Sequence, residues 1–125
     1  MLAPVLSQPS LPLNDPAGTG VAPEELAAVK ARLDHDDLTV LAYRFKGDKF
    51  CQSQRFAAFA EALGDRFVPR VLDDSAANTD LPPFFAQHVT TPHSVVTAHL
   101  INEANQPTIA ARDEILSFFA GRLRP

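Results

Sequence analysis

The chain has 125 residues, 46% of them hydrophobic and 21% charged, with a formal net charge of −4. That length suits one domain able to bury about two thirds of its unfolded surface, and the acidic balance argues against a nucleic-acid groove. Cys51 is the single cysteine and cannot form an internal disulfide, Met1 to Leu13 lack a basic region followed by a signal-like apolar run, and no stretch approaches the roughly 20 apolar residues that span a bilayer; a cytoplasmic protein is expected.

In chain order, Ala3 to Leu6 is a short apolar run closed by Ser7-Gln8-Pro9, which predicts a brief strand, and Asn14 to Gly20 carries turn residues. Pro23 suits a first helical position, Glu24 and Glu25 complement the positive helix end, and Leu26, Val29 and Leu33 fall on one face. After the charged turn Asp34 to Asp37, Leu38 to Phe45 is a nearly continuous apolar run, the signature of a parallel strand covered on both faces. Phe56, Phe59, Ala60 and Leu63 form a helical stripe, with Gly64 placed for a left-handed cap. Phe67 to Leu72 reads as a strand that Pro69, lacking an N–H, confines to a sheet edge. Asp73 to Pro92 is polar and broken by Pro82 and Pro83, a candidate functional loop. Ser94 to Ile101 fits either a short helix or a strand, and Pro107 opens a helix with Ile109, Leu116, Phe119 and Leu123 on one face.

This alternation predicts an α/β chain, a partial doubly wound parallel sheet of about three strands with flanking helices. It divides into a strand and loop over 1–22, a βαβ core over 23–72, a loop region over 73–106 and a C-terminal helix over 107–125, all within one incomplete domain.

Two residues carry candidate chemistry. Asp48 follows the carboxyl end of the clearest strand, where open α/β sheets bind ligands; it is either a triad acid that orients a histidine or a cap for the next helix. His93 lies in the loop after the last strand, as a catalytic base or as a histidine bonded to backbone. His88 and His99 compete with it, His99 within an apolar run that favours a structural role, and His35 sits in a charged turn. Cys51, near a helix start with Lys49 and Arg55 close by in sequence, is either a nucleophile or a buried inert thiol. Asp73, Asp74, Asn78 and Asp80 lack the glycine and terminal glutamate of an EF-hand and read as a solvated loop. No metal or cofactor is expected.

Taken together, Ala3 to Pro12, Leu41-Ala-Tyr-Arg-Phe-Lys-Gly-Asp48 with Phe50-Cys51 and Arg55-Phe56, Leu63 to Phe67, and His93-Ser-Val-Val-Thr97 resemble the dienelactone-hydrolase-like branch of the α/β-hydrolase superfamily. The likeness continues through Gln106-Pro107-Thr108 to Phe118-Phe119, and order and spacing carry it. The resemblance implies that Asp48 is the triad acid and His93 the base, acting on a small-molecule ester or lactone, and that the chain matches only the C-terminal half of the fold. In that family the nucleophile is a Ser or Cys on a Gly-x-Ser/Cys-x-Gly elbow upstream of both partners, and no such elbow occurs here. The expectation is a chain inactive alone, with an unpaired strand edge near Val5 open to self-association or to a missing N-terminal half. The alternative is a non-catalytic α/β interaction module, binding through the Asp73 to Pro92 loop or that open edge. A self-contained hydrolase using Cys51, His93 and Asp48 is a third possibility.

Overall fold

A computed structural model describes residues 2–124; Met1 and Pro125, the outer ends of the predicted 1–22 and 107–125 segments, lie outside the described residues. The chain runs β1 (Val5–Ser7), α1 (Pro23–His35), β2 (Val40–Phe45), α2 (Ser53–Leu63), β3 (Phe67–Leu72), α3 (Pro83–His88) and α4 (Pro107–Leu123), with single 3-10 turns at Gly64–Arg66 and Asp74–Ala76. The three strands form one parallel sheet in the order β1-β2-β3, so β2 is central and fully buried along its length. A mixed α/β fold with a parallel sheet between helices is thus established.

Alternation along β2 assigns the two faces. Val40 and Ala42 join Leu33 of α1 and Phe56, Phe59 and Leu63 of α2 in one core, where Phe67 meets Phe56 edge-on at 5.3 Å and stacks on Phe59 at 5.9 Å. Leu41, Tyr43 and Phe45 point the other way, into a second core closed by Val95 and by Ala111 and Ile115 of α4. Helices therefore cover both faces, as the unbroken apolar run of β2 demands. Pro69 pairs opposite Ala42 with its other side free, since β3 is an edge strand.

Four local expectations are revised. Gly64 does take a positive φ of 58°, but its ψ of −138° lies outside the left-handed helical region, and it opens a 3-10 turn instead of a simple cap. Pro82 and Pro83, expected to break the chain, start α3, because a proline at the first helical position gives up an N–H that would have no partner there. Residues 94–101 form neither helix nor strand but a series of turns, in which the N–H groups of Thr97 and His99 both return to the Ser94 carbonyl. On α4 the buried positions are Thr108, Ala111 and Ile115, whereas Leu116 and Leu123 are more than half exposed. The helix is apolar on several sides: Phe118 and Phe119 also pack, part-buried, against the second core, while Leu116 and Leu123 face outward.

The segment between β1 and α1 has almost no regular structure, and a buried arginine holds it. Arg55, in the first turn of α2, is 1% exposed, and all five of its N–H donors reach main-chain carbonyls. Nε donates to Gly18 at 2.7 Å, one terminal nitrogen to Pro9 and Phe50 at 2.9 and 2.7 Å, and the other to Pro12 and Asp15 at 2.5 and 2.9 Å. No carboxylate takes part; the charge is solvated by carbonyl dipoles in place of water. Arg55→Met is expected to lower the unfolding free energy by about 3–5 kcal/mol in chemical denaturation, because several carbonyls lose their donor at once. A loss below about 1 kcal/mol would show that the segment is held otherwise.

Candidate functional site

The site begins where β2 ends. Asp48 N–H donates to the Phe45 carbonyl at 3.3 Å in the turn that follows the strand. Gly47 N–H donates to Asp74 Oδ1 at 2.8 Å, and a Cβ at this position would press on that carboxylate, so a larger residue here would have to displace the Asp74 side chain. Asp74 of the acidic loop is therefore committed to the turn. The Asp48 side chain then folds back over the next residues, its Oδ1 accepting the N–H groups of Phe50 at 2.8 Å and Cys51 at 3.2 Å. The capping alternative holds only in part: Asp48 organises the turn before α2, but the N-cap itself is Gln52.

The second oxygen faces the other candidate. Asp48 Oδ2 lies 2.6 Å from His93 Nδ1, with the carboxylate side chain wholly buried and the imidazole 16% exposed. Because a carboxylate only accepts, the facing ring nitrogen carries the hydrogen, which in a neutral ring leaves the lone pair on Nε2. Phe50 meets the ring edge-on at 5.3 Å. The loop is fixed on both flanks: Lys49 N–H donates to Thr91 Oγ1 at 3.2 Å, Val95 is fully buried in the second core, and Ile101 N–H donates to buried Thr108 Oγ1 of α4 at 2.8 Å. The structure thus brings together Asp48 and His93, which lie 45 residues apart in sequence.

The remaining histidines separate. His35 is highly exposed beside Asp36, and His88 is exposed with Nδ1 2.8 Å from the Phe84 carbonyl of its own helix. His99 is 2% exposed, and its Nδ1 accepts the N–H groups of His93 at 3.2 Å and Ser94 at 2.9 Å. Sequence reading placed it correctly in an apolar environment but gave no sign of its contact with the His93 backbone, which depends on turns that have no periodic signal.

Cys51 has no exposed surface. Burial, reinforced by the negative charge of Asp48 and only partly opposed by Arg55 and Arg44, pushes its thiol up to about 12. A thiol in that state is neither accessible nor ionised at neutral pH. The arrangement suited to chemistry is therefore an Asp–His pair with a free imidazole nitrogen; among the described residues no serine or cysteine side chain hydrogen-bonds that ring. Nor do the described residues contain a group of three His, Cys, Asp or Glu side chains able to hold a metal ion. No helix among them is long and apolar enough to cross a membrane.

No family model matches the chain, and comparison with curated proteins and with solved structures likewise finds no match. Fold and geometry therefore define only a class: an α/β protein with a buried Asp–His pair at the carboxyl end of its central parallel strand.

Thiol labelling tests the status of Cys51. At neutral pH a mild electrophile is expected to modify it at least ~100-fold more slowly than a free thiol with its ordinary pKa, and unfolding should restore the ordinary rate. Rapid labelling of the folded chain would return Cys51 to consideration as a nucleophile.

Proposed function

We propose that the chain is the acid–base part of a dienelactone-hydrolase-like ester or lactone hydrolase, with Asp48 as triad acid, His93 as general base, and a Ser or Cys nucleophile contributed by a polypeptide segment outside these 125 residues. The observation that carries the reading is the 2.6 Å contact between the buried Asp48 carboxylate and His93 Nδ1 at the carboxyl end of β2, where open α/β sheets place ligands. The resemblance of the flanking segments supplies the reaction class.

In this reading His93 Nε2 takes the proton of the nucleophile as it attacks the ester carbonyl, and Asp48 stabilises the resulting imidazolium without itself becoming protonated. His93 then returns the proton to the leaving alkoxide, and repeats the cycle with water to release the acid. Asp48 holds one tautomer throughout, because its other oxygen is pinned by Phe50 and Cys51. The oxyanion donors belong to the nucleophile elbow in this family type and are also contributed from outside.

The isolated chain is expected to hydrolyse a p-nitrophenyl ester no faster than free imidazole at equal concentration, since loss of the nucleophile costs such triads about a millionfold in turnover. Turnover abolished by His93→Ala would overturn the external-nucleophile assignment. Supplying an N-terminal half encoded in frame upstream, if it carries a Gly-x-Ser/Cys-x-Gly elbow, should produce esterase activity that Asp48→Asn lowers by about 10⁴-fold through the wrong histidine tautomer. Failure of such a reconstituted pair to hydrolyse any ester or lactone would overturn the hydrolase reading.

The same reading gives β1 a neighbour. Its only strand partner among the described residues is β2, through Val5, Leu6 and Ser7, and an open parallel edge invites another chain. Self-association of the isolated chain in sizing experiments, relieved by an N-terminal half, is the expected behaviour. A monomer with a sharp thermal transition would count against a missing strand there.

A further inference from the structure

We propose that His99 is a positioning residue for His93: it is held neutral with its hydrogen on Nε2, so that Nδ1 serves as a fixed acceptor for two consecutive backbone N–H groups and sets where the His93 ring meets Asp48. The proposal rests on the functional reading only in naming His93 as the base; the geometry stands apart from it.

Two donors converge on one ring nitrogen, from His93 at 3.2 Å and from Ser94 at 2.9 Å. Backbone N–H groups can only donate, so Nδ1 must offer its lone pair, and a hydrogen there would replace two attractions with two repulsions. The residue is tied back to the same loop, for its own N–H donates to the Ser94 carbonyl at 3.0 Å and its carbonyl accepts from Asn78 N–H at 2.8 Å. Ser94 and His99 are thus linked through both main chain and side chain. The ring sits between Phe45, edge-on at 6.0 Å, and Phe85 at 5.6 Å, which hold its plane. The two histidines therefore use opposite tautomers: His93 carries hydrogen on Nδ1 toward Asp48, and His99 carries it on Nε2.

The arrangement also makes the loop sensitive to acid. The titratable groups around His99 are His93 in its own loop, Asp48 after β2, and Asp74, which lines the same small cavity; Phe45 and Phe85 contribute only rings. Burial, and next the neighbouring His93, hold His99 below the ordinary histidine range, with Asp48 opposing. A base depressed in the folded state leaves the unfolded chain to bind the proton first, so its contribution to stability is complete above the unfolded value of 6.5 and is lost as pH falls below it.

Long-range nitrogen–proton NMR on the full chain reads both tautomers directly. At neutral pH His99 should show the Nε2–H form and His93 the Nδ1–H form, and on acidification His99 should protonate only at a lower pH than a free histidine. In His99→Phe, which keeps a ring between Phe45 and Phe85 but removes the acceptor, the His93 Nδ1–H should exchange with water at least ~10-fold faster, and His99→Gln, whose amide oxygen can accept, should restore part of the protection. An Nδ1–H tautomer for His99 in the unaltered chain overturns the proposal even if the variants do not fold, and so does unchanged protection of the His93 proton in His99→Phe. Failure of the reconstituted hydrolase would leave these spectra unaltered and count only against the catalytic reading.

Discussion

A carboxylate with no exposed side-chain surface has to find its partners within the protein, and Asp48 does so in a way that determines the geometry around it. One oxygen gathers the N–H groups of Phe50 and Cys51, which fixes the turn into α2, and the other receives His93. Removing the water around a charge of this kind costs several kcal/mol unless hydrogen bonds replace it. The turn and the distant loop therefore stand or fall together, and the pairing links β2 to a segment 45 residues away in sequence.

The parallel sheet supplies the platform for that pairing. β2 is covered on both faces, by α1 and α2 on one side and by α4 with Val95 on the other, so its carboxyl end emerges at a defined point of a rigid layer. Val95 is buried in the core two residues after His93, and the Ile101 to Thr108 bond ties the loop to the start of α4. A pair held by one strand end and one anchored loop needs few residues to be placed accurately, which is what the proposed acid–base role would require.

Much of this was legible in the residues. The unbroken apolar run of β2, the proline that keeps β3 at an edge and the Phe56-Phe59-Leu63 stripe all express periodicities that burial enforces. Asp48 and His93 could be nominated from their positions relative to the strands. What stayed hidden depends on geometry without period. The face of α4 was legible only at Phe119, because apolar residues surround the helix, and residues 94–101 were ambiguous because turn bonds to nearby carbonyls and two side-chain acceptors, not a ladder, satisfy their backbone. Arg55 could be noticed near Cys51, but nothing in its neighbours announces that five carbonyls from two segments converge on it.

That arginine and the histidine pair anchor the molecule by different chemistry. The guanidinium holds residues 9–18 through main-chain carbonyls, which do not titrate, whereas the contacts that His99 makes with its loop depend on which of its nitrogens bears a proton. Acid would accordingly loosen the C-terminal loop while the N-terminal arm stayed stapled. Loosening would begin where the His99 ring gathers the His93 and Ser94 backbone and reach last the arm that carbonyls tie to Arg55.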